Sequence, residues 1–253
     1  MNENRFDKKG AAYSAAKASY PDELLNALSK ENIIAPESTV ADIGAGTGIF
    51  HCSLHGLQAL FFPLSRTGHE KRSRKILKVR KNVKVINGSA ENTGLDAVSI
   101  DCVTAAKAFH WFNKAAFSEE CKRILKPAGA VVLVWNIRDE DDPLIKENYG
   151  LNKVYCSGFG TLGEKTGFSR KNPGVVGDFF GSLGADFKRL ILKNNLAYDL
   201  DTFIMRNFSS SYAPTGGAEK AGYEKALKEL FESHAESGMV QYPYITECFY
   251  GKI

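Results

Sequence analysis

Apolar residues fall in short runs separated by turn-forming clusters, and helical and strand periods alternate along the chain. Pro21-Asp22-Glu23 reads as a helix start, with Leu24, Leu25 and Leu28 as its apolar stripe. Residues 40–43 form a buried strand that runs into Gly44-Ala45-Gly46-Thr47-Gly48, and a helix is predicted over about 47–58. Further strands are predicted near 59–64, over 83–86, 98–106 and 130–135. Asn113 caps a helix carrying Phe117, Cys121 and Ile124. A helix is expected from Pro143 to about Tyr155, behind the acids Asp139 to Asp142, and a loop with several glycines follows it. Residues 187–197 alternate as a sixth strand, helices begin at Asp199 and near Ala218, and 241–250 read as the last strand, expected antiparallel. Strands alternating with helices predict an α/β fold.

The turn at 44–48 carries the chemistry. Its spacing is G-x-G-x-G, whereas a dinucleotide fold uses G-x-G-x-x-G with a pyrophosphate on the helix end. Asp42, two residues before the first glycine, would repel a pyrophosphate and suits an ammonium group. A nicotinamide-dependent oxidoreductase is therefore disfavoured. In open parallel sheets ligands lie beyond the carboxyl ends of the central strands, which places 106–111 beside the glycine turn.

The segment 40–50 resembles motif I of the class I S-adenosylmethionine-dependent methyltransferases. Ala108-Phe109-His110-Trp111-Phe112 resembles a small-molecule subgroup that includes the "type 11" and trans-aconitate enzymes. Those usually carry Gln where Lys107 stands. The resemblance implies a Rossmann-like, seven-stranded, mostly parallel sheet with an antiparallel last strand, helices on both faces and a helical cap or lid. It implies one domain over 1–253: a cap at 1–35, a cofactor-binding core at 36–137, lid elements at 138–240 and the last strand at 241–253. S-adenosyl-L-methionine would be the cofactor. Asp42, Gly44, Ala45, Gly46, Gly48 and Ala106 would line it, and Ser89 with the Ala90 N–H would hold adenine. Tyr13, Phe109, Trp111 and Tyr212 would shape the acceptor pocket. His110 either takes a proton from the acceptor or walls the pocket. The reaction would be an in-line displacement onto a small-molecule O, N or C nucleophile.

One departure is large. The family places an acid at the end of the second strand, where two carboxylate oxygens meet the ribose diol. Here 61–68 read Phe-Phe-Pro-Leu-Ser-Arg-Thr-Gly, and the next acid is Glu70. Reading the codons for 65–75 one base later, within the choices the genetic code allows, gives Val-Glu-Pro-Asp-Met-Arg-Lys-Glu-Ala-Glu-Lys, which resembles the family there. The alternatives are a frame-shifted segment over 51–75 or a divergent loop. A weakly binding or inactive relative is the corresponding second reading of function.

Composition narrows the rest. With 43% hydrophobic and 25% charged residues, the chain is that of a globular protein. A net charge of +4 is too mild to imply nucleic acid, and the basic run from Lys71 to Lys84 has no aromatics interleaved for base stacking. Cys52, Cys102, Cys121, Cys156 and Cys248 form no C-x-x-C, which favours reduced thiols and argues against zinc. No apolar run or leader pattern suggests a membrane or an export signal, so the expected location is the cytoplasm.

Overall fold

The computed structural model describes residues 19–45, 48–50, 58–62, 83–160, 174–210 and 212–253. Among the described residues nine strands appear in chain order: β1 (Thr39–Ile43), β2 (Gln58–Phe62), β3 (Val83–Val85), β4 (Ile100–Ala106), β5 (Leu125–Arg138), β6 (Lys188–Lys193), β7 (Leu196–Tyr198), β8 (Val240–Tyr242) and β9 (Tyr244–Lys252). The described helices are α1 (Asp22–Lys30), α2 (Lys114–Ile124), α3 (Pro143–Tyr155), α4 (Gly174–Leu183), α5 (Leu200–Phe208) and α6 (Gly217–His234). They divide into two compact units. The first takes its described residues from within 19–136, 174–192 and 246–253, and the second from within 137–160 and 193–245.

The first unit is built on a seven-stranded sheet of order β3-β2-β1-β4-β5-β9-β6. β1 pairs in parallel with β2 and β4, β2 with β3, and β4 with β5. β9 runs the other way. The Ile253 N–H donates to Gly129 O at 2.9 Å, while Thr246, earlier in β9, bonds Asn136, later in β5, at 2.5 Å. After β1 the chain builds outward through β2 and β3, then returns to β4 on the other side. That reversal opens a crevice at the carboxyl ends of β1 and β4.

Alternation along β5 sends Val131, Leu133 and Trp135 to one face and Ala130, Val132 and Val134 to the other. On the first face α2 packs through Phe117, Cys121 and Ile124, and α4 through Val176, Phe179, Phe180 and Leu183. On the second, α1 contributes Leu24 and Leu28 beside Tyr20 and Phe50. Pro21 and the first-turn acids Asp22 and Glu23 start α1 as expected, with Lys30 in its last turn. Helices thus cover both faces, and residues 19–35, expected as part of a cap, belong to the sheet's own core.

The second unit has a core of Leu144, Ile145, Phe203, Tyr223, Leu227 and Tyr242. Asp142 caps α3 by accepting from the Leu144 N–H at 2.9 Å, with Pro143 in the first turn, and Asp199 caps α5 through Thr202 N–H at 2.8 Å. Buried Asn148 donates to Asn207 at 3.0 Å, and the Tyr223 hydroxyl donates to Asn152 at 2.5 Å.

Three readings change. The strand expected over 187–197 is two, β6 and β7, separated at Asn194, whose N–H donates to Tyr244 O at 2.8 Å. The strand expected over 241–250 is also two, because Pro243 has no N–H to continue the ladder; β8 leaves to pair with β7 antiparallel. Helix α4 has no counterpart in the sequence reading.

Ahead of the stretch predicted as a strand over 130–135, β5 begins with a bulge. Ile100 pairs with Leu125 and Cys102 with Ala130, so the four residues Lys126 to Gly129 stand opposite the single residue Asp101. Ala128 there has φ +61°. A Cβ on Gly129 would lie 2.8 Å from Lys126 O. Ala128→Gly is expected to stabilise the protein by about 1 kcal/mol by relieving the left-handed backbone, and Gly129→Ala to destabilise it by at least as much. Denaturant midpoints of the two variants check both signs.

Candidate functional site

Asp42 is the penultimate residue of β1 and is fully buried. Its Cα partner across β4 is Thr104, whose hydroxyl donates to Asp42 Oδ1 at 3.0 Å. The second oxygen, Oδ2, has no hydrogen-bond partner among the described residues. Burial pushes the acid up to about 7, and the Thr104 hydrogen bond offsets only part of that. An orphaned, buried carboxylate oxygen at the carboxyl end of the central strand fits a cationic donor. The methionyl ammonium of S-adenosylmethionine is such a donor.

The chain leaves β1 through Gly44, at φ +72°. A Cβ there would meet Ala108 Cβ at 2.5 Å and Phe112 at 3.2 Å. The missing side chain of Gly44 is therefore filled by the protein itself, which lets the 109–111 turn close over the strand end. Gly48 also has positive φ, +80°, and its N–H donates to Ala45 O at 2.9 Å. Gly46 lies outside the described residues. Ala45 is buried, and Ala106 is half-buried at the end of β4, where it pairs with Val134.

Ser89 and Ala90 lie in the loop after β3. The Ser89 hydroxyl accepts from the Asn92 N–H at 3.1 Å, and Ala90 is buried. Glu91 accepts from the Asn113 N–H at 2.9 Å, and that contact with the Ser89 hydroxyl outweighs desolvation to hold its carboxyl below the usual range. Thr93 donates twice to Glu120, from its N–H at 2.8 Å and its hydroxyl at 2.5 Å, while Arg123 clamps both Glu120 oxygens at 2.8 Å. The loop is thus fixed to α2 from both ends. Arg123 and Thr93 bring Glu120 down to about 2.

The 3-10 turn Phe109–Trp111 presents its three side chains differently. Phe109, expected in the acceptor pocket, is 1% exposed and packs edge-on to Phe179 at 4.8 Å and to Trp135 at 6.2 Å, so it belongs to the core. Trp111 is 61% exposed. His110 is half-buried, 4.9 Å from the Trp111 ring. Burial, then Lys107 and Lys114, bring it down to about 4, so it is uncharged at neutral pH. Tyr212 lies in the second unit, where its hydroxyl accepts from Arg138 at 3.1 Å. Tyr13 and most of 51–75, including the expected position of the ribose acid, lie outside the described residues.

Sequence reasoning did not single out Thr104 or Glu120, nor the contact that joins Glu91 to the capping residue Asn113. Thr104 had a signal: it is the one hydroxyl residue in an otherwise apolar strand end, Val103-Thr104-Ala105-Ala106. Among the described residues no group of three His, Cys, Asp or Glu side chains could hold a metal ion, and no helix is long and apolar enough to cross a membrane.

A glycine turn beside a buried acid, at the strand-order reversal of a mostly parallel sheet with helices on both faces, makes this a Rossmann-like fold. Residues 41–133 match a family model described as a methyltransferase domain. An uncharacterised methyltransferase-like protein of Schizosaccharomyces pombe is 32% identical over 145 residues, covering 56% of this chain and 55% of that protein. A Dictyostelium discoideum protein named as a methyltransferase is 25% identical over 244 residues, covering 91% of this chain and 85% of that one. The chain spans about half the length of the curated relatives it matches first. A type II methyltransferase structure from Anaeromyxobacter dehalogenans superposes with a TM-score of 0.62 at 19% identity, covering 93% of this chain and 97% of that one. Geranyl diphosphate methyltransferase, solved with S-adenosylmethionine, does so with a TM-score of 0.50 at 11% identity, covering 91% and 83%.

The raised folded-state pKa of Asp42 fixes two signs. The folded protein holds this proton more tightly than the unfolded chain, so the stability it confers is present at low pH and lost as pH rises from about 4 to about 7. Asp42→Asn should therefore stabilise the cofactor-free protein above pH 7, on the order of 1–2 kcal/mol, while weakening S-adenosylmethionine binding. Binding a cation favours the carboxylate, so wild-type affinity should rise with pH towards about 7 and release a proton below it. Calorimetry in buffers of different ionisation enthalpy measures that proton.

Proposed function

We propose that this chain transfers a methyl group from S-adenosylmethionine to an O, N or C nucleophile of a small molecule by in-line displacement. The orphaned Oδ2 of Asp42 is the observation that carries the reading. When bound, the cofactor supplies a methyl group activated on a sulfonium. Asp42 would hold its amino group, with Thr104 fixing the carboxylate. Gly44, Ala45, Gly46, Gly48 and Ala106 would form the floor, and Ser89 and Ala90 would meet adenine. The protein contributes alignment and exclusion of water.

His110 would act as an uncharged wall. A base whose conjugate acid titrates near 4 has little driving force to take a proton at neutral pH. His110→Gln is expected to change kcat by less than about tenfold, against the 10²–10⁴ expected of a general base. A kcat profile lacking a limb from this residue between about pH 5 and 8 would agree.

The second reading, a domain that binds the cofactor weakly, is favoured by one observation. β2 ends at Phe62 and no acid follows before Glu70. Losing one charge-assisted contact costs about 1.5–3 kcal/mol, roughly ten- to a hundredfold in affinity. Calorimetry with S-adenosylmethionine separates the two readings. The native chain is compared with one carrying Val-Glu-Pro-Asp-Met-Arg-Lys-Glu-Ala-Glu-Lys over 65–75. Tight binding and methyl transfer by the native chain are expected under the first reading. Binding by the replaced chain alone selects the second. No binding by either, with both cooperatively folded, overturns the cofactor assignment for this protein.

A further inference from the structure

Asn113 caps α2, and Lys114 is the first residue of the helix. A cation in that position meets the positive end of the helix dipole, and the first turn carries no acid to offset it. Helix preference therefore argues against a lysine here. The side chain turns back from the helix onto the 3-10 turn before it. Its ammonium donates to Phe112 O at 2.8 Å and to His110 O at 3.2 Å, and lies 5.2 Å from the Phe109 ring centre. One half-buried ammonium thus holds Phe109, His110 and Phe112 at once.

The same lysine feels the loop after β3. Burial lowers Lys114 below the usual lysine range, and the Glu91 carboxylate opposes that. Glu91 in turn accepts from the Asn113 N–H at 2.9 Å and from the Ser89 hydroxyl. Ser89, Glu91, the start of α2 and the 109–112 turn therefore form one contiguous set of polar contacts within the sheet unit. At its far end stand the exposed Trp111 and His110, kept uncharged by burial and by the cations Lys107 and Lys114. A residue that defies the preference of its own helix while bonding a neighbouring turn serves that turn.

We propose that Lys114 is a positioning residue: it fastens the turn that carries His110 and Trp111 to the loop that carries Ser89 and Ala90, so that a ligand held by the loop is felt at the turn. The fastening stands on the contacts alone. Adenine as the group held by the loop rests on the methyltransferase reading.

The test uses the full chain and two readouts. The first needs no ligand. The His110 and Trp111 rings are 4.9 Å apart, so protonation of the imidazole quenches the indole and the pH dependence of Trp111 emission follows it. Trp111→Phe identifies the Trp111 share of the signal. The native step is expected near pH 4, with burial as its largest cause. Lys114→Met should release the turn and move the step up by about one unit or more, towards the ordinary histidine value of about 6.5. Lys114→Arg, which keeps a cationic donor, should leave it in place. A step unmoved in Lys114→Met overturns the fastening.

The second readout is Trp111 emission during titration with S-adenosylmethionine, with calorimetry on the same samples. The native chain should show a saturable change. Lys114→Met and Glu91→Ala should lose most of that change at cofactor concentrations that calorimetry shows to be saturating, and Lys114→Arg should keep it. A native chain that binds without a change at Trp111 overturns the link between loop and turn, as does a Lys114→Met response equal to the native one. A native chain that does not bind overturns the cofactor reading instead, and the ligand-free titration then decides the fastening. Should Lys114→Met fail to fold cooperatively, Lys114→Gln, whose shorter amide cannot span both carbonyls, takes its place in both readouts.

Discussion

Asp42 is an ionisable group in the centre of a parallel sheet with only one of its oxygens satisfied. That arrangement constrains its surroundings. The neighbouring strand must offer a short hydroxyl at the matching register, and Thr104 does so at 3.0 Å. A valine there would have the shape without the donor, and the acid would then lose its only hydrogen bond among the described residues. The face it lies on, with Val40, Tyr20 and Phe50, is otherwise apolar and closed by α1. Such burial opposes ionisation, so the free protein tolerates the group as a partly protonated acid. A carboxyl kept near the edge of ionisation is poor architecture for stability alone. It is suitable architecture for a site that waits for a cation.

The rest of the sheet unit holds that site open by packing. Gly44 makes room for Ala108 and Phe112. Phe109 anchors the turn in a cluster of rings with Phe117, Phe179 and Trp135. With its flanking residues buried, the turn can only show His110 and Trp111. The loop after β3 is held at Glu91 by the start of α2 and at Thr93 by Glu120 further along the same helix. Two independent loops are thereby referenced to one helix. Rigid referencing of this kind is what alignment of a transferred group requires, because small misplacements of reacting atoms are expensive in rate.

Much of this unit was legible because local signals and tertiary demands agree. The strand Thr39–Ile43 ending at the left-handed Gly44 satisfies pattern and burial at once, and the Asp142-Pro143 start of α3 satisfies propensity and capping. Where these diverge, reading the chain fails. Helix α4 carries Gly174, Gly177 and Gly181, which mask the helical spacing of its buried Val176, Phe179, Phe180 and Leu183. Alternation passes straight through Asn194 and Pro243, so each pair of short strands looked like one long one; only the missing donor of Pro243 hinted otherwise. Phe109 was expected in the acceptor pocket with the rest of its motif, yet a 3-10 turn sends successive side chains in different directions.

In the sheet unit an acid is buried with one oxygen that meets no donor among the described residues. Folding alone selects against this, since replacing the aspartate by a neutral isostere removes an uncompensated charge. Elsewhere the chain solves the same problem directly, as with Glu120, which collects Arg123 and two donors from Thr93. The contrast between completed and incomplete ion pairs within one sequence separates groups that serve the fold from groups that await a ligand. An ammonium would complete Asp42, so the charge left unpaired by folding specifies the chemistry of what the sheet unit can bind.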